Sequence, residues 1–326
     1  MADVTYREAL RRALDEELGR DESVFLMGEE IGRFEGSYKV TAGLYAKYGP
    51  RRVRETPIAE EGFVGAGVGA AMLGLRPVVE IMTINFILVA MDMVVNHAAK
   101  VRQMFGGKVG VPLVIRTPAG AGAQLTAQHS QSLEVMFAHT PGLKVVAPST
   151  PLDAYGLLKS AIRDEDPVLF LEHKFLYRRV KEDLPDGDYA VPLGVAATRR
   201  QGSDLAIVTY GAMVHTALDA ARRLEADGVS TEVLDLRTLL PLDDDAILAA
   251  AAKTGKVIVL HEDTRTGGIG AEIASRIGER AFEYLDGPVV RVTAPDTPVP
   301  YAAPLEDLFI PDVAKVVAAA RELIAY

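Results

Sequence analysis

The chain contains no cysteine, which removes disulfides, thiolate metal sites and cysteine nucleophiles together. Basic residues are also in the minority, 35 against 45 acids, for a formal charge of −10. Beyond short patches such as Arg178–Arg179 and Arg199–Arg200 there is no basic run. Nucleic acid, which is held through clustered lysine and arginine, is therefore not an expected partner. No uncharged apolar stretch approaches the ~18–20 residues a membrane span needs, so no membrane is expected either. The opening MADVTYREALRRALDEELGRDE is rich in acids and has no apolar core, unlike a secretion signal or transit peptide. A soluble cytoplasmic protein is the expectation. A P-loop is missing as well, because no Gly-Lys-Ser/Thr occurs.

What is present is ordinary globular composition at its apolar end, 49% hydrophobic and 25% charged. With 326 residues, two domains with their own cores are expected, and the apolar bias leaves room for a subunit interface. Short β-rich runs alternate with helical patterns, the signature of parallel α/β sheets. In the first half the strands begin at Ser23, Arg76, Val111, Leu143 and Pro167. Helices lie between them near 60–73, 86–105, 132–139 and 152–164, after an amphipathic opener carrying Tyr6, Leu10, Leu14 and Leu18. The pattern lapses in a charged stretch punctuated by Pro and Gly, then resumes at DLAIVTYG. The expected division is an α/β domain over 1–185, a connection over 186–203 and a second α/β domain over 204–326.

Residues 56–74, TPIAEEGFVGAGVGAAMLG, raise the central question. Gly65, Gly67 and Gly69 suggest a dinucleotide loop, but the spacing fails at the third glycine and Glu60 and Glu61 would repel a pyrophosphate. TGGIGAEIA at 266–274 fails likewise, with Ile273 at the third glycine position. The first stretch reads instead as a helix starting near Glu60. Gly62, Ala66, Gly69 and Leu73 form a smooth face on it that lets another backbone approach. Successive helical residues point about 100° apart, so only one of Glu60 and Glu61 can face a given ligand. Either that acid serves a ligand or it simply complements the helix dipole.

Several segments together carry a further signal. They are GEEIG (28–32), YKVTAGLYAKYGPRRVRETPIAEEGFVGAGVGAAMLGLRPVVEIMTINF (38–86) and AQHSQSLEVMFAHTPGLKVV (127–146), then LLKSAIRDEDPVLFLE (157–172). DLRTLLPLD (235–243), GGIGAEIA (267–274) and APDTPVPYAAPLED (294–307) complete them. In this order they resemble, over essentially the whole chain, the β subunit of thiamine-diphosphate-dependent 2-oxo-acid dehydrogenases. The decarboxylase component of the pyruvate dehydrogenase type is the nearest form. The resemblance implies a transketolase-like pyrimidine-binding domain followed by a transketolase C-terminal-like domain. It implies that Glu60, the acid after TPI-x, reaches ring nitrogen 1′ of the cofactor and favours the imino form of its 4′-amino group. That group is then able to take the thiazolium proton.

His129 lies in a glycine-rich polar segment after the strand VPLVIRT, where parallel sheets place ligands, although a loop histidine is often merely solvated. The resemblance places it beside the reacting carbon of the cofactor. Phe86, which alone would read as core, is implied to pack on the aminopyrimidine ring. His97 and His139 read as structural. The resemblance also implies a structural potassium ion at Leu113, Ala161, Ile162, Asp164 and Asp166, with Asp166 standing where some relatives have asparagine.

The Mg²⁺-binding pattern of such enzymes, Gly-Asp-Gly followed later by Asn, has no counterpart, and no asparagine follows Asn96. The chain thus carries half a site. Thiamine diphosphate would be shared with an α subunit that holds Mg²⁺, in an α₂β₂ tetramer. The C-terminal domain is implied to pair with the second β subunit and dock the lipoyl-bearing acyltransferase core. The implied reaction is oxidative decarboxylation of a 2-oxo acid with acyl transfer to lipoyl groups. IMTINF resembles pyruvate-type enzymes, with branched-chain and acetoin-cleaving relatives as alternatives. An NAD-dependent dehydrogenase and a non-catalytic interaction subunit are the competing readings.

Overall fold

The opening helix shows how the chain builds its layers. Thr5 and Glu8 form a capping box that starts α1 (Tyr6–Arg20), and Tyr6, Leu10, Leu14 and Leu18 all turn inward. The computed structural model describes residues 3–326, which divide into two compact units. The first takes the chain through Ala119 and again over Met136–Leu193. The second takes Gly120–Val135 and Gly194–Tyr326.

The main sheet of the first unit is built from β1 (Val24–Gly28), β2 (Val53–Glu55), β3 (Arg76–Glu80), β4 (Val114–Ala119), β5 (Lys144–Val146) and β6 (Val168–His173). They run parallel in the order β5-β6-β4-β3-β1-β2. β1, β3 and β4 are almost continuously buried, as a sheet covered on both faces requires, although β3 and β4 carry the charged side chains of Glu80 and Arg116. α2 (Glu60–Met72) and α3 (Pro151–Arg163) are the main helices after α1. The short β2 was not visible in the sequence, since three residues carry too little alternation to register. The expected helix over 86–105 is broken instead into a 3₁₀ turn, Ile84–Ala90, a π segment, Asp92–Ala98, and a single α turn, Val101–Met104.

The second unit holds β7 (Ala197–Arg200), β8 (Leu205–Thr209), α4 (Met213–Ala226), β9 (Thr231–Asp235), α5 (Asp244–Thr254) and β10 (Val257–Thr264). It continues with α6 (Ile269–Arg280), β11 (Val290–Ala294), α7 (Ala303–Phe309) and α8 (Val313–Ala325). Its sheet runs β11-β10-β8-β9-β7, parallel except for β7, which pairs antiparallel with β9 at the edge. That edge strand lies inside the stretch read as a connection, its alternation hidden by Arg199 and Arg200.

The sequence drew one domain over 1–185, whereas residues 120–135 group with the second unit. The reason is local and electrostatic. Amides of Ala121, Gly122 and Gln124 donate to the carboxylates of Glu262 and Glu306, and Glu134 accepts from the Tyr210 hydroxyl at 2.6 Å. Conversely, Asp188 pairs with Lys159 and Arg163, both at 2.7 Å, which ties the start of the expected connection to the first unit.

Candidate active site

α2 answers the question raised by TPIAEEGFVGAGVGAAMLG. The chain turns into the helix at Ala59, and Glu60, its first residue, is 6% exposed while Glu61 faces solvent. The glycines divide by role. A Cβ on Gly67 would stand 2.9 Å from Val79, and one on Gly65 would stand 3.0 Å from the Met93 sulfur, so these two let α2 press on β3 and the π segment. Gly69 meets nothing within 4 Å, and Gly62 only its own preceding turn. With Ala66 and Leu73, the latter 87% exposed, they form a smooth uncovered face, and Ile58 just before the helix is 81% exposed. None of the glycines makes a phosphate loop.

Glu60 has an acidic neighbour. Glu29 follows β1 directly and is 5% exposed, with its side chain within hydrogen-bonding reach of Glu60. Burial, then the negative charge of Glu60, pushes the Glu29 carboxyl up to about 7. One of its oxygens, Oε1, is buried without a partner. Gly28 makes this placement feasible: a Cβ there would lie 2.6 Å from the carbonyl oxygen of Glu80 on β3. The sequence reading quoted Glu29 within GEEIG but gave it no role. The available signal was a pair of acids at the carboxyl end of a parallel strand.

A buried ionic cluster ties β3, β4 and β6 together. Arg116 of β4 donates through Nε and Nη2 to Glu172 of β6, at 2.7 and 2.8 Å, and through Nη1 to Glu80. The Tyr177 hydroxyl donates to Glu172 at 2.6 Å. One guanidinium thus serves two carboxylates, and burial raises Glu172 despite Arg116. Phe86, half-buried on the 3₁₀ turn after β3, donates its backbone amide to Thr83 at 3.0 Å.

His129 belongs to the second unit. It is half-buried at the end of a single 3₁₀ turn, Ala127–His129, and its amide donates to the Thr126 carbonyl at 3.2 Å. His97 and His139 are exposed on the first unit rather than packed in its core. Two motif glycines of TGGIGAEIA serve packing. Cβ atoms on Gly268 and Gly270 would lie 2.7 and 2.4 Å from the ring of His261, which is buried and stacked at 13° on Tyr210.

The fit of thiamine diphosphate can be judged from the donor set. A buried carboxylate at a helix start, a second acid held near neutrality and a half-buried phenylalanine suit an aminopyrimidine. The potassium positions fit less well. Arg76 already takes the carbonyls of Ile162 and Asp164, at 3.1 and 3.0 Å, and Lys144 takes both oxygens of Asp164 at 2.7 Å. Arg102 pairs with Asp166, and the Leu113 carbonyl accepts from Val168 at 2.9 Å. Potassium would have to share these oxygens with three cationic side chains. Among the described residues, no group of three or more histidine, aspartate or glutamate side chains is placed to hold a metal ion.

Comparison with known proteins identifies the family and the fold. Residues 2–180 match the transketolase pyrimidine binding domain, and residues 194–316 match the transketolase C-terminal domain. The chain is 48% identical over 324 residues to the 2-oxoisovalerate dehydrogenase subunit beta of Bacillus subtilis, covering 99% of both chains. It is also 48% identical over 321 residues to the pyruvate dehydrogenase E1 component subunit beta of Rhizobium meliloti, covering 98% of this chain and 70% of that protein. Among solved structures, a split gene transketolase described as an inactive beta4 tetramer superposes with a TM-score of 0.81. It has 23% identity and covers 99% of each chain, a likeness of fold.

Proposed function

The chain belongs to the transketolase-like β subunits of 2-oxo-acid dehydrogenase E1 components, and from that premise we propose that it supplies one half of a thiamine-diphosphate site for decarboxylating a 2-oxo acid. The observation that carries this reading is Glu60, buried at the start of α2 beside the acid Glu29. Glu60 holds its carboxylate for ring nitrogen 1′ of the aminopyrimidine. Glu29, close to neutral pH in its titration, holds or yields a proton next to it. Phe86 supplies an apolar surface for the ring. His129 orients the substrate and moves a proton at its reacting carbon. The bound cofactor supplies the electron sink that a 2-oxo acid needs to lose its carboxylate.

The other half of the site belongs, in this proposal, to an α subunit that carries Mg²⁺ and the diphosphate, in an α₂β₂ assembly in the cytoplasm. The uncovered face of Gly62, Ala66, Gly69 and Leu73 supports a close-packed partner helix. The acyl group then passes to a lipoyl arm of an acyltransferase core. Pyruvate is the proposed substrate, on the pyruvate-type character of IMTINF. The 2-oxoisovalerate relative makes branched 2-oxo acids the alternative worth assaying.

The test is to co-express the chain with its α partner and measure reduction of an artificial acceptor with pyruvate, 2-oxoisovalerate and acetoin, with and without thiamine diphosphate and Mg²⁺. Cofactor-dependent turnover that Glu60→Ala abolishes while assembly persists is the expected result. An assembled Glu60→Ala complex with undiminished turnover would reduce Glu60 to a helix-start acid.

A further inference from the structure

The segment bearing His129 is a loop of the second unit whose ends meet. Gly120 donates its amide to the carbonyl of Gln131 at 3.3 Å, closing the loop at its base. Inside it the backbone takes an unusual course. Gly120 and Gly122 have φ of 88°, and Gln124 and Thr126 follow at 55° and 65°. Glutamine and the β-branched threonine are not residues that choose the left-handed region unaided. Something must hold them there.

Two acids from distant sequence do so. The Glu306 carboxylate, 2% exposed in the first turn of α7, accepts the amide of Gly122 at 3.0 Å through Oε1. It accepts that of Gln124 at 3.0 Å through Oε2 and at 3.4 Å through Oε1. The carboxylate of Glu262, at the end of β10, accepts the amide of Ala121. Three amides within four residues thus converge on two buried carboxylates, a charge-assisted arrangement that fixes backbone direction. The Ala121 side chain adds an apolar pin, packing with Ala294, Val299 and Phe309. Glu306 reaches the loop through the amides of Gly122 and Gln124. What it fixes is the loop geometry five residues upstream, from which the turn Ala127–His129 is projected.

We propose that Glu306 is a positioning residue for the reaction: its buried carboxylate, with that of Glu262, clamps the amides of Ala121, Gly122 and Gln124 and so sets where His129 is presented. This rests on the reading that His129 serves the 2-oxo-acid chemistry. A glutamine at 306 keeps an acceptor for one amide but turns an NH₂ towards the other, so it should loosen the clamp only partly. Alanine removes it.

The experiment uses the complex assembled with the α subunit and compares Glu306→Gln, Glu306→Ala, His129→Ala and the double variant Glu306→Ala/His129→Ala. Hydrogen exchange by mass spectrometry reads residues 120–126 directly, without reference to activity. In Glu306→Ala these amides should exchange at least tenfold faster while β8 and β10 keep their protection. The turnover number for the 2-oxo acid should fall at least tenfold with KM changed less than twofold, and Glu306→Gln should recover part of it. The double variant should be no slower than His129→Ala alone, because both act through one group. Unchanged exchange in 120–126, or losses that multiply in the double variant, overturns the proposal. Full turnover in His129→Ala overturns the reading of His129 and the positioning role with it. The exchange shift in Glu306→Ala would then mark the clamp as purely structural, so the two failures are told apart.

Discussion

Glu29 lies against Glu60 at the carboxyl end of the first unit's sheet, and its own carboxyl is pushed up to about 7. Burial is the larger cause and the Glu60 charge the next. A carboxyl raised in this way binds its proton more tightly folded than unfolded. Its contribution to stability is complete below the ordinary value of 4.5 and is lost as pH rises from there through about 7. Glu29→Gln is neutral throughout and should remove this slope. Between pH 5 and pH 8 the variant should gain on the parent by on the order of 1–2 kcal/mol in urea denaturation. Parallel pH dependence in the two proteins would refute the assignment.

The cluster joining β3, β4 and β6 predicts a larger effect. Arg116 bridges Glu80 and Glu172, and all three are buried. Arg116→Met should therefore cost about 3–5 kcal/mol, because it strands two carboxylates in the sheet. Tyr177→Phe removes a single hydroxyl bond to Glu172 and should cost only about 1–3 kcal/mol. Denaturant midpoints of the two variants give the comparison. An Arg116→Met protein less perturbed than Tyr177→Phe would mean that the charges are solvated in the native chain.

The order of these effects also explains what could be read beforehand. The parallel α/β architecture was legible because short β-rich runs alternate with helical patterns and α1 keeps its four-residue spacing. The helix start at Glu60 was legible from the sequence, and the 100° step of a helix lets only one of Glu60 and Glu61 face a given ligand. That the choice falls on Glu60 came from the family resemblance and not from the spacing. Glu29 and Arg116 were not legible, because their significance lies in cross-strand register: Glu80 stands opposite Arg116, a pairing no local window contains. The clamp on residues 120–126 was hidden for a stronger reason. Glu306 meets Gly122 across 184 positions, and from sequence it is one acid among many. The break of the expected helix over 86–105 likewise depends on packing that periodicity does not encode.

TGGIGAEIA carries the next prediction. If its glycines serve packing rather than phosphate, Gly270→Ala drives a methyl to within 2.4 Å of the His261 Nε2. A loss of about 1–3 kcal/mol is expected for overpacking of this kind. His261→Ala makes room, so the double variant should be less destabilised than the two single losses added together. Strict additivity in thermal or urea unfolding would show that ring and methyl do not meet.

His261 gives a second, oppositely signed pH effect. Burial, with Arg291 adding to it, brings its imidazole down from 6.5 to about 4. The ring is therefore held neutral in the fold. Its contribution is complete above about 6.5 and is lost as pH falls from there through about 4. His261→Phe should remove the gain in stability between about pH 4 and 6.5, leaving in view the opposing loss at Glu29 between 4.5 and about 7. An unaltered acid limb in the variant would assign acid sensitivity to other groups.

The face of α2 supplies the last test. Gly69 meets nothing within 4 Å, so Gly69→Leu should be accommodated by the chain alone. It should even stabilise it by about 0.5–1 kcal/mol, since glycine is a poor residue inside a helix. Nothing among the described residues therefore accounts for glycine at that position, whereas a partner backbone packed closely against the helix would. On that argument the variant melts no lower than the parent in isolation yet fails to co-purify with the α subunit, while Gly67→Leu, directed at Val79, destabilises the isolated chain outright. Size-exclusion chromatography of co-expressed subunits, alongside thermal melts of the chain alone, separates the two effects. A Gly69→Leu complex of normal size and turnover would move the partner's contact to another face.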